Sequence, residues 1–169
     1  ELEDTILDNS VGAGHLVRDF PEAGFRVIGF DIVDREKIVR LSEFYNRDFL
    51  QERPQGMNNT LLGLDKFSIV MNPPYSKALE FVQKSLELQK EGGKVCAFLK
   101  IQFLEGAKRK QFFKDNPPVR VWVSSKRIKC ASNGVFVNEK GEPVQSMACY
   151  AWFIWEKGYK GDTIVKWFN

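Results

Sequence analysis

Thr5-Ile6-Leu7-Asp8-Asn9-Ser10-Val11-Gly12-Ala13-Gly14 reads as a short buried strand that ends in an acid and runs into a tight glycine turn. Leu16, Val17 and Phe20 then recur at helical spacing, which predicts a helix over 15–23 with Gly24 at its C-terminal cap. Arg26-Val27-Ile28-Gly29-Phe30-Asp31 is a second strand, again closed by an acid. The same alternation continues downstream. Ile38, Leu41 and Phe44 predict a helix over 35–44, residues 45–49 a short third strand, and 51–65 a loop. Phe67-Ser68-Ile69-Val70-Met71 is a fourth strand that must stop at Asn72-Pro73-Pro74-Tyr75, because consecutive prolines cannot continue a ladder. Leu79, Val82 and Leu86 form one stripe of a helix over 77–91, closed by Gly92-Gly93. A strand over 94–99, a basic helix over 107–114 and a strand over 119–124 follow. Residues 133–145 carry turn chemistry, and 147–155 and 163–168 read as closing strands.

Strands alternating with helices predict an α/β domain, a parallel sheet with helices on both faces. The excursion 133–145 has no helical period, so the long strand after it is expected to run antiparallel to its neighbour. A chain of 169 residues and 19.5 kDa suits one domain, 1–169. Its 43% apolar content, with aromatics spread throughout, excludes disorder and coiled coil. No run approaches the roughly 18 apolar residues of a membrane span, and the start Glu1-Leu2-Glu3-Asp4 is acidic where a secretory signal is basic. A cytoplasmic address is expected. Cys96, Cys130 and Cys149 show no CxxC or Cys/His clustering, so neither a disulfide framework nor a metal site is expected.

Charge is unevenly placed. Residues 1–50 hold eleven acids and six bases, a balance of −5, whereas 94–129 hold ten bases and two acids, a balance of +8. Lys108-Arg109-Lys110 and Lys126-Arg127-Ile128-Lys129 are the dense clusters. Such a concentration is the footprint of a surface that meets phosphates.

In a doubly wound sheet, ligands sit at the C-terminal ends of the strands, where Gly12, Gly14, Asp31 and Asp48 fall. Glycines allow close approach of backbone to ligand, and Asp31 can accept the hydroxyls of a ribose. Asp48 can accept from an adenine amino group, with the Phe49 ring lying against the base. A dinucleotide fingerprint would need a glycine where the chain has Val17, and Asp8 would repel a pyrophosphate. A carboxylate there suits the cationic amino-acid end of S-adenosylmethionine. His15 reads as the first residue of a helix rather than as a catalyst.

Asn72-Pro73-Pro74-Tyr75 has a derivable chemistry. An amino group conjugated to a ring or carbonyl is a poor nucleophile because its lone pair is delocalised. Two acceptors aimed at its hydrogens, the Asn72 side-chain oxygen and the Pro73 carbonyl, favour a pyramidal nitrogen and relieve the charge that develops as it attacks a methyl. Tyr75 offers a flat face to a planar substrate.

Asp8-Asn9-Ser10-Val11-Gly12-Ala13-Gly14, Gly29-Phe30-Asp31, Asp48-Phe49 and Asn72-Pro73-Pro74-Tyr75, in this order, resemble the S-adenosylmethionine-dependent amino methyltransferases, above all the N6-adenine DNA methyltransferases. Residues 100–129 and 150–158 also look like the small methyltransferases of phage and mobile elements. The resemblance spans essentially the whole chain. It implies a Rossmann-like class I sheet of seven strands, order 3-2-1-4-5-7-6 with strand seven antiparallel. It also implies S-adenosylmethionine as cofactor and Asn72 at both the cofactor and the catalytic site. A second base-stacking aromatic is expected between strands six and seven; Phe136 is the first choice and Trp152 the second.

The family commonly has a segment ahead of strand one that covers the methionine end of the cofactor, whereas here strand one begins near residue 5. It also commonly has a target-recognition domain, for which 169 residues leave no space. Sequence recognition is then expected from the 133–145 excursion, from a specificity subunit or second copy, or not at all. The expected partner is nucleic acid, DNA first, held by Lys108, Arg109, Lys126 and Arg127. Competing readings are methylation of a protein glutamine or a ribosomal RNA base, and a catalytically silent subunit of a modification complex. An NAD-dependent oxidoreductase ranks last, since Val17 breaks its fingerprint.

Overall fold

The structure, a computed structural model, describes residues 2–52, 66–128, 141 and 148–169. Eight strands form one mixed sheet: β1 (Thr5–Asp8), β2 (Arg26–Asp31), β3 (Glu43–Asn46), β4 (Ser68–Met71), β5 (Lys94–Lys100), β6 (Arg120–Ser124), β7 (Tyr150–Glu156) and β8 (Ile164–Phe168). Their order is β3-β2-β1-β4-β5-β7-β6-β8. β7 alone runs antiparallel, to both β5 and β6. The expected order 3-2-1-4-5-7-6 is present, but the expected count of seven strands is corrected to eight. Ile164–Phe168 lies parallel to β6 at the outer edge, tied at its ends by Ile164 N–H to the Val119 carbonyl (3.1 Å) and Ser125 N–H to the Phe168 carbonyl (2.9 Å).

Among the described residues two α-helices, α1 (Ala78–Leu88) and α2 (Ala107–Asp115), each follow a 3₁₀ turn, Tyr75–Lys77 and Ile101–Leu104. Phe81, Val82 and Leu86 of α1 and Phe112 of α2 pack into the core made by Leu7, Ile28, Phe30, Ile69, Val95 and Trp155. The opposite face is covered by Leu16, Val17, Phe20, Val39 and Leu41, packed on Ile6, Val27, Val70 and Cys96.

That covering is not helical, which corrects the helices expected over 15–23 and 35–44; among the described residues both α-helices pack into one core cluster. In the first segment the Phe20 N–H bonds the Val17 carbonyl (3.2 Å), a turn bond. Pro21 then supplies no N–H to carry a ladder onward, and the segment closes with single turn bonds such as Gly24 N–H to the Pro21 carbonyl (3.1 Å). In the second, the amides are engaged elsewhere. Val33 N–H goes to the Asp31 side chain (2.9 Å), Ile38 N–H to the Ala13 carbonyl (2.9 Å) and Ser42 N–H to the Val27 carbonyl (2.8 Å). Val17 is buried and Leu16, Phe20, Leu41 and Phe44 are half-buried without the ladder, whereas Ile38 is left exposed. β3 also begins earlier than expected, because Ile28 pairs with Glu43.

Since β6 is parallel to β5, the C-terminal ends of β1, β2, β4, β5 and β6 all open on one edge of the sheet. The segments after Asp8, Asp31, Met71, Lys100 and Ser124 therefore share that edge.

Candidate functional site

The glycine turn is built by backbone bonds that only certain residues permit. Val11 N–H reaches the Phe30 carbonyl (2.9 Å) and Gly14 N–H the Val11 carbonyl (2.8 Å). Gly12 and Gly14 lie at φ 55° and 91°, the left-handed region that glycine enters without steric cost. A Cβ on Gly14 would run into Val39 Cγ1, whereas one on Gly12 would meet nothing within 4 Å. Gly12 therefore presents open backbone at the edge. Val17, where a third fingerprint glycine would stand, is fully buried in the core.

Asp31 ties this turn to β2. Its Oδ2 accepts Gly12 N–H at 2.7 Å, and its Oδ1 accepts Val33 N–H (2.9 Å) and Arg35 Nη1 (3.1 Å). A carboxylate has about four lone-pair sites, so Asp31 retains room for one more donor rather than for both hydroxyls of a ribose. The Asp31→Ala variant is expected to lose both the turn anchor and that acceptor, weakening S-adenosylmethionine binding by about tenfold or more. An unchanged dissociation constant by calorimetry would remove Asp31 from the site.

Asp8, at the end of β1, is 1% exposed. Burial pushes its carboxyl up to about 7; Ser10 N–H, donating to Oδ1 at 3.0 Å, pulls the other way, and the nearby Asp31 charge adds to the rise. Next to it, Asn9 Nδ2 donates to Ser85 Oγ on α1 (2.8 Å). Ser85 Oγ in turn lies 3.8 Å from the Met71 sulfur, at the end of β4. This relay joins the end of β1 to the end of β4, and so brings the glycine turn beside Asn72-Pro73-Pro74-Tyr75.

Three oxygens at this junction, Asn9 Oδ1, Ser10 Oγ and Asn72 Oδ1, are buried and have no hydrogen-bond partner among the described residues. Buried polar atoms are ordinarily paired, and leaving one unpaired costs about 1–3 kcal/mol. All three lie at the C-terminal ends of the neighbouring strands β1 and β4.

Pro73 is buried and Pro74 exposed, and the Pro74 carbonyl accepts Lys77 N–H at 2.9 Å to close the 3₁₀ turn. Tyr75 starts that turn and is 37% exposed. Its ring tilts against Tyr150 (centroids 6.0 Å apart), which stacks on Phe98 (5.3 Å). Lys100 Nζ lies 4.9 Å from the Tyr75 ring centroid.

Other expected residues fare differently. Asp48 sits in the turn after β3, its Oδ1 accepting Leu50 N–H at 2.9 Å. Phe49 is corrected: its ring is 1% exposed and stacks on Phe81 (5.5 Å), so core packing uses the face that an adenine would need. Lys126 and Arg127 are exposed just past β6, and Lys108 is exposed in the first turn of α2. Arg109 is corrected in part. Its Nε donates to the Phe103 carbonyl (2.7 Å) and its Nη2 to the carbonyls of Gln102 and Glu105, so it fastens the 3₁₀ turn rather than standing free for phosphate. Phe136 lies outside the described residues. Trp152 packs on Phe98 (5.2 Å) within the core, and His15 sits exposed in a turn rather than at a helix start.

Sequence reasoning missed Lys100, Tyr150, Ser85 and Arg35. For Lys100 and Tyr150 a signal existed, because strand alternation puts Cys96, Phe98 and Lys100 on one face and Lys100 opposite Tyr150. Ser85 had none, since a serine on the buried stripe of a helix carries no mark of its partner.

No protein-family model and no curated protein matches the sequence. Solved structures do. A predicted O-methyltransferase from Agrobacterium tumefaciens superposes with a TM-score of 0.65 at 14% identity, over 99% of this chain and 80% of its own. The fold is that of the class I methyltransferases. A candidate class I S-adenosylmethionine-dependent methyltransferase from Listeria monocytogenes matches at 0.58 and 14% identity, over 96% of this chain. A structure of the type I restriction-modification system matches at 0.57 and 14% identity, over 98% of this chain. This chain spans 58% and 40% of those two chains' lengths. Within the methyltransferase fold, the glycine turn and Asn72 stand at the ends of adjacent strands β1 and β4. Among the described residues no helix is long and apolar enough to cross a membrane, and no cluster of three metal-ligating side chains occurs.

Proposed function

We propose that this chain transfers a methyl group from S-adenosylmethionine to an exocyclic amino nitrogen, N6 of adenine in DNA. The observation that carries this reading is Asn72 Oδ1, a buried acceptor with no partner among the described residues, at the mouth of the strand next to the glycine turn.

The residues fit the cofactor. Asp8 supplies a carboxyl for an ammonium, Asn9 Oδ1 and Ser10 Oγ supply further acceptors, Gly12 presents open backbone, and Asp31 retains one accepting site. When bound, S-adenosylmethionine supplies an electrophilic methyl on a sulfonium. On the substrate side, Asn72 Oδ1 and the Pro73 carbonyl accept the two amino hydrogens. That draws the nitrogen lone pair out of conjugation and stabilises the positive charge that grows on nitrogen. The Tyr75 ring gives a planar base a stacking surface, and sequence-tolerant stacking of this kind contributes about 1–3 kcal/mol per base.

Nucleic acid is favoured by position as well as by composition. Lys108, Lys126 and Arg127 are exposed on the edge that carries Asn72 and Tyr75. A base in a duplex must be extruded before its amino group can reach a pocket, at a cost of a few kcal/mol, and phosphate contacts hold the duplex meanwhile. Reversing two of those charges, Lys126→Glu with Arg127→Glu, is expected to weaken DNA binding and lower the slope of log K against log salt by about 2. An unchanged slope would leave these residues as an ordinary solvated face.

The deciding experiment incubates the protein and S-adenosylmethionine with DNA, RNA and a protein extract in parallel and reads the methylated products by mass spectrometry. N6-methyldeoxyadenosine supports the reading. Methyl groups found only in RNA or protein would move the substrate, and no product with any of the three would point to a silent subunit.

A further inference from the structure

Beside Tyr75 lies a cleft of about 150 Å³ whose two cations have no part in the proposed chemistry. Its floor is apolar, with Ala78, Leu99 and Phe103, and its walls carry the Tyr75 ring and two cations, Lys100 and Arg109. Arg109 Nε and Nη2 are engaged with backbone carbonyls, which fixes that guanidinium in place as a permanent charge on the wall. Lys100 differs. It is the last residue of β5, half-buried, and among the described residues no carboxylate pairs with it. Its ammonium instead rests 4.9 Å from the Tyr75 ring centroid. A cation resting on an aromatic ring at a partly exposed site is held weakly, and a phosphate oxygen offers it a charge-assisted hydrogen bond in exchange.

We propose that Lys100 anchors the backbone phosphate of the nucleotide whose base stacks on Tyr75. In the free chain the ammonium rests on the ring. When a base takes the ring face, the ammonium turns to the phosphate on the same side of the cleft. Arg109 keeps the wall positive without leaving the 3₁₀ turn. One side chain thus couples filling of the base site to grip on the backbone, which is the coupling an extruded nucleotide requires. This inference rests on the reading of DNA as substrate.

The test compares wild type, Lys100→Met and Lys100→Arg for binding to a short adenine-containing duplex across a salt series, with cofactor affinity measured alongside to establish that each variant is folded. One phosphate contact contributes about 0.9 to the slope of log K against log salt. Lys100→Met is expected to lower the slope by about that amount and to weaken binding several-fold, while Lys100→Arg retains the wild-type slope. If Lys100 merely pads the tyrosine ring, Lys100→Met leaves the slope unchanged and the inference is overturned. A wild-type chain that binds no DNA at low salt overturns the substrate reading itself, and this inference with it.

Discussion

Replacing Asn72 with alanine is expected to reduce methyl transfer by roughly 100- to 1,000-fold, the loss typical when one preorganised electrostatic partner of a transition state is removed. The cause is specific. Asn72 Oδ1 is buried and has no partner among the described residues, and its removal would leave the charge developing on nitrogen with one acceptor fewer. In the variant the Pro73 carbonyl would face the amino group alone, and the nitrogen would remain conjugated and poorly nucleophilic. Because the effect lies in the transition state, cofactor affinity should stay within a few-fold of wild type by calorimetry while turnover collapses. A variant that transfers tritiated methyl groups within tenfold of the wild-type rate would defeat the proposed role of the carboxamide. A parallel loss of cofactor affinity would instead place Asn72 on the cofactor side of the junction.

Changing Asp8 to asparagine is expected to move stability and binding in opposite directions. Burial raises the Asp8 carboxyl from its ordinary 3.8 to about 7 in the folded chain. In the unfolded chain it ionises near its ordinary value. Between about pH 4 and 7 the folded state therefore binds a proton that the unfolded state does not, and stability falls as pH rises through that window, levelling above 7. The penalty at pH 8 is of order 4 kcal/mol, from about 1.4 kcal/mol for each pKa unit. The carboxamide oxygen of the variant would still accept the Ser10 N–H that now reaches Asp8 Oδ1. Asp8→Asn should thus be more stable than wild type at pH 8 and indistinguishable from it near pH 4, as read by urea unfolding. Its affinity for S-adenosylmethionine should fall about 10- to 100-fold with the loss of a charged partner for the ammonium. In the wild type, affinity should decline below pH 7 as Asp8 takes up its proton. Equal cofactor affinity in variant and wild type would end the assignment of Asp8 to the ammonium.

What could be read in the chain was what rests on local chemistry. Thr5-Ile6-Leu7-Asp8 and Arg26–Asp31 are apolar runs stopped by an acid, and they form strands with those bounds. Asn72-Pro73-Pro74 ends β4 because proline lacks the donor that a ladder needs. What could not be read depends on partners distant in sequence. The helical spacing of Leu16, Val17 and Phe20 is real, and Val17 is buried with Leu16 and Phe20 half-buried against it, but their backbone bonds form turns. Ile38, Leu41 and Phe44 carry the same spacing, yet the Ile38 amide is claimed by Ala13, from a turn far earlier in the chain. Phe49 shows the same limit at the site. An aromatic after an acid fits either an adenine or a core, and only the position of Phe81 decides between them.

The turn-built cover on the glycine side has a thermodynamic consequence. A helix opens against its whole ladder, whereas residues 11–25 and 31–42 are held by single turn bonds and a few crossing bonds such as Ile38 to Ala13 and Gly12 to Asp31. Segments of that kind open at a free energy well below that of global unfolding. The wall a nucleoside would touch is thus expected to open below the global transition, which hydrogen exchange of residues 11–25 and 31–42 would read. A ligand bound at the proposed site would then tie these turns together, and hydrogen exchange in them is expected to slow when it binds.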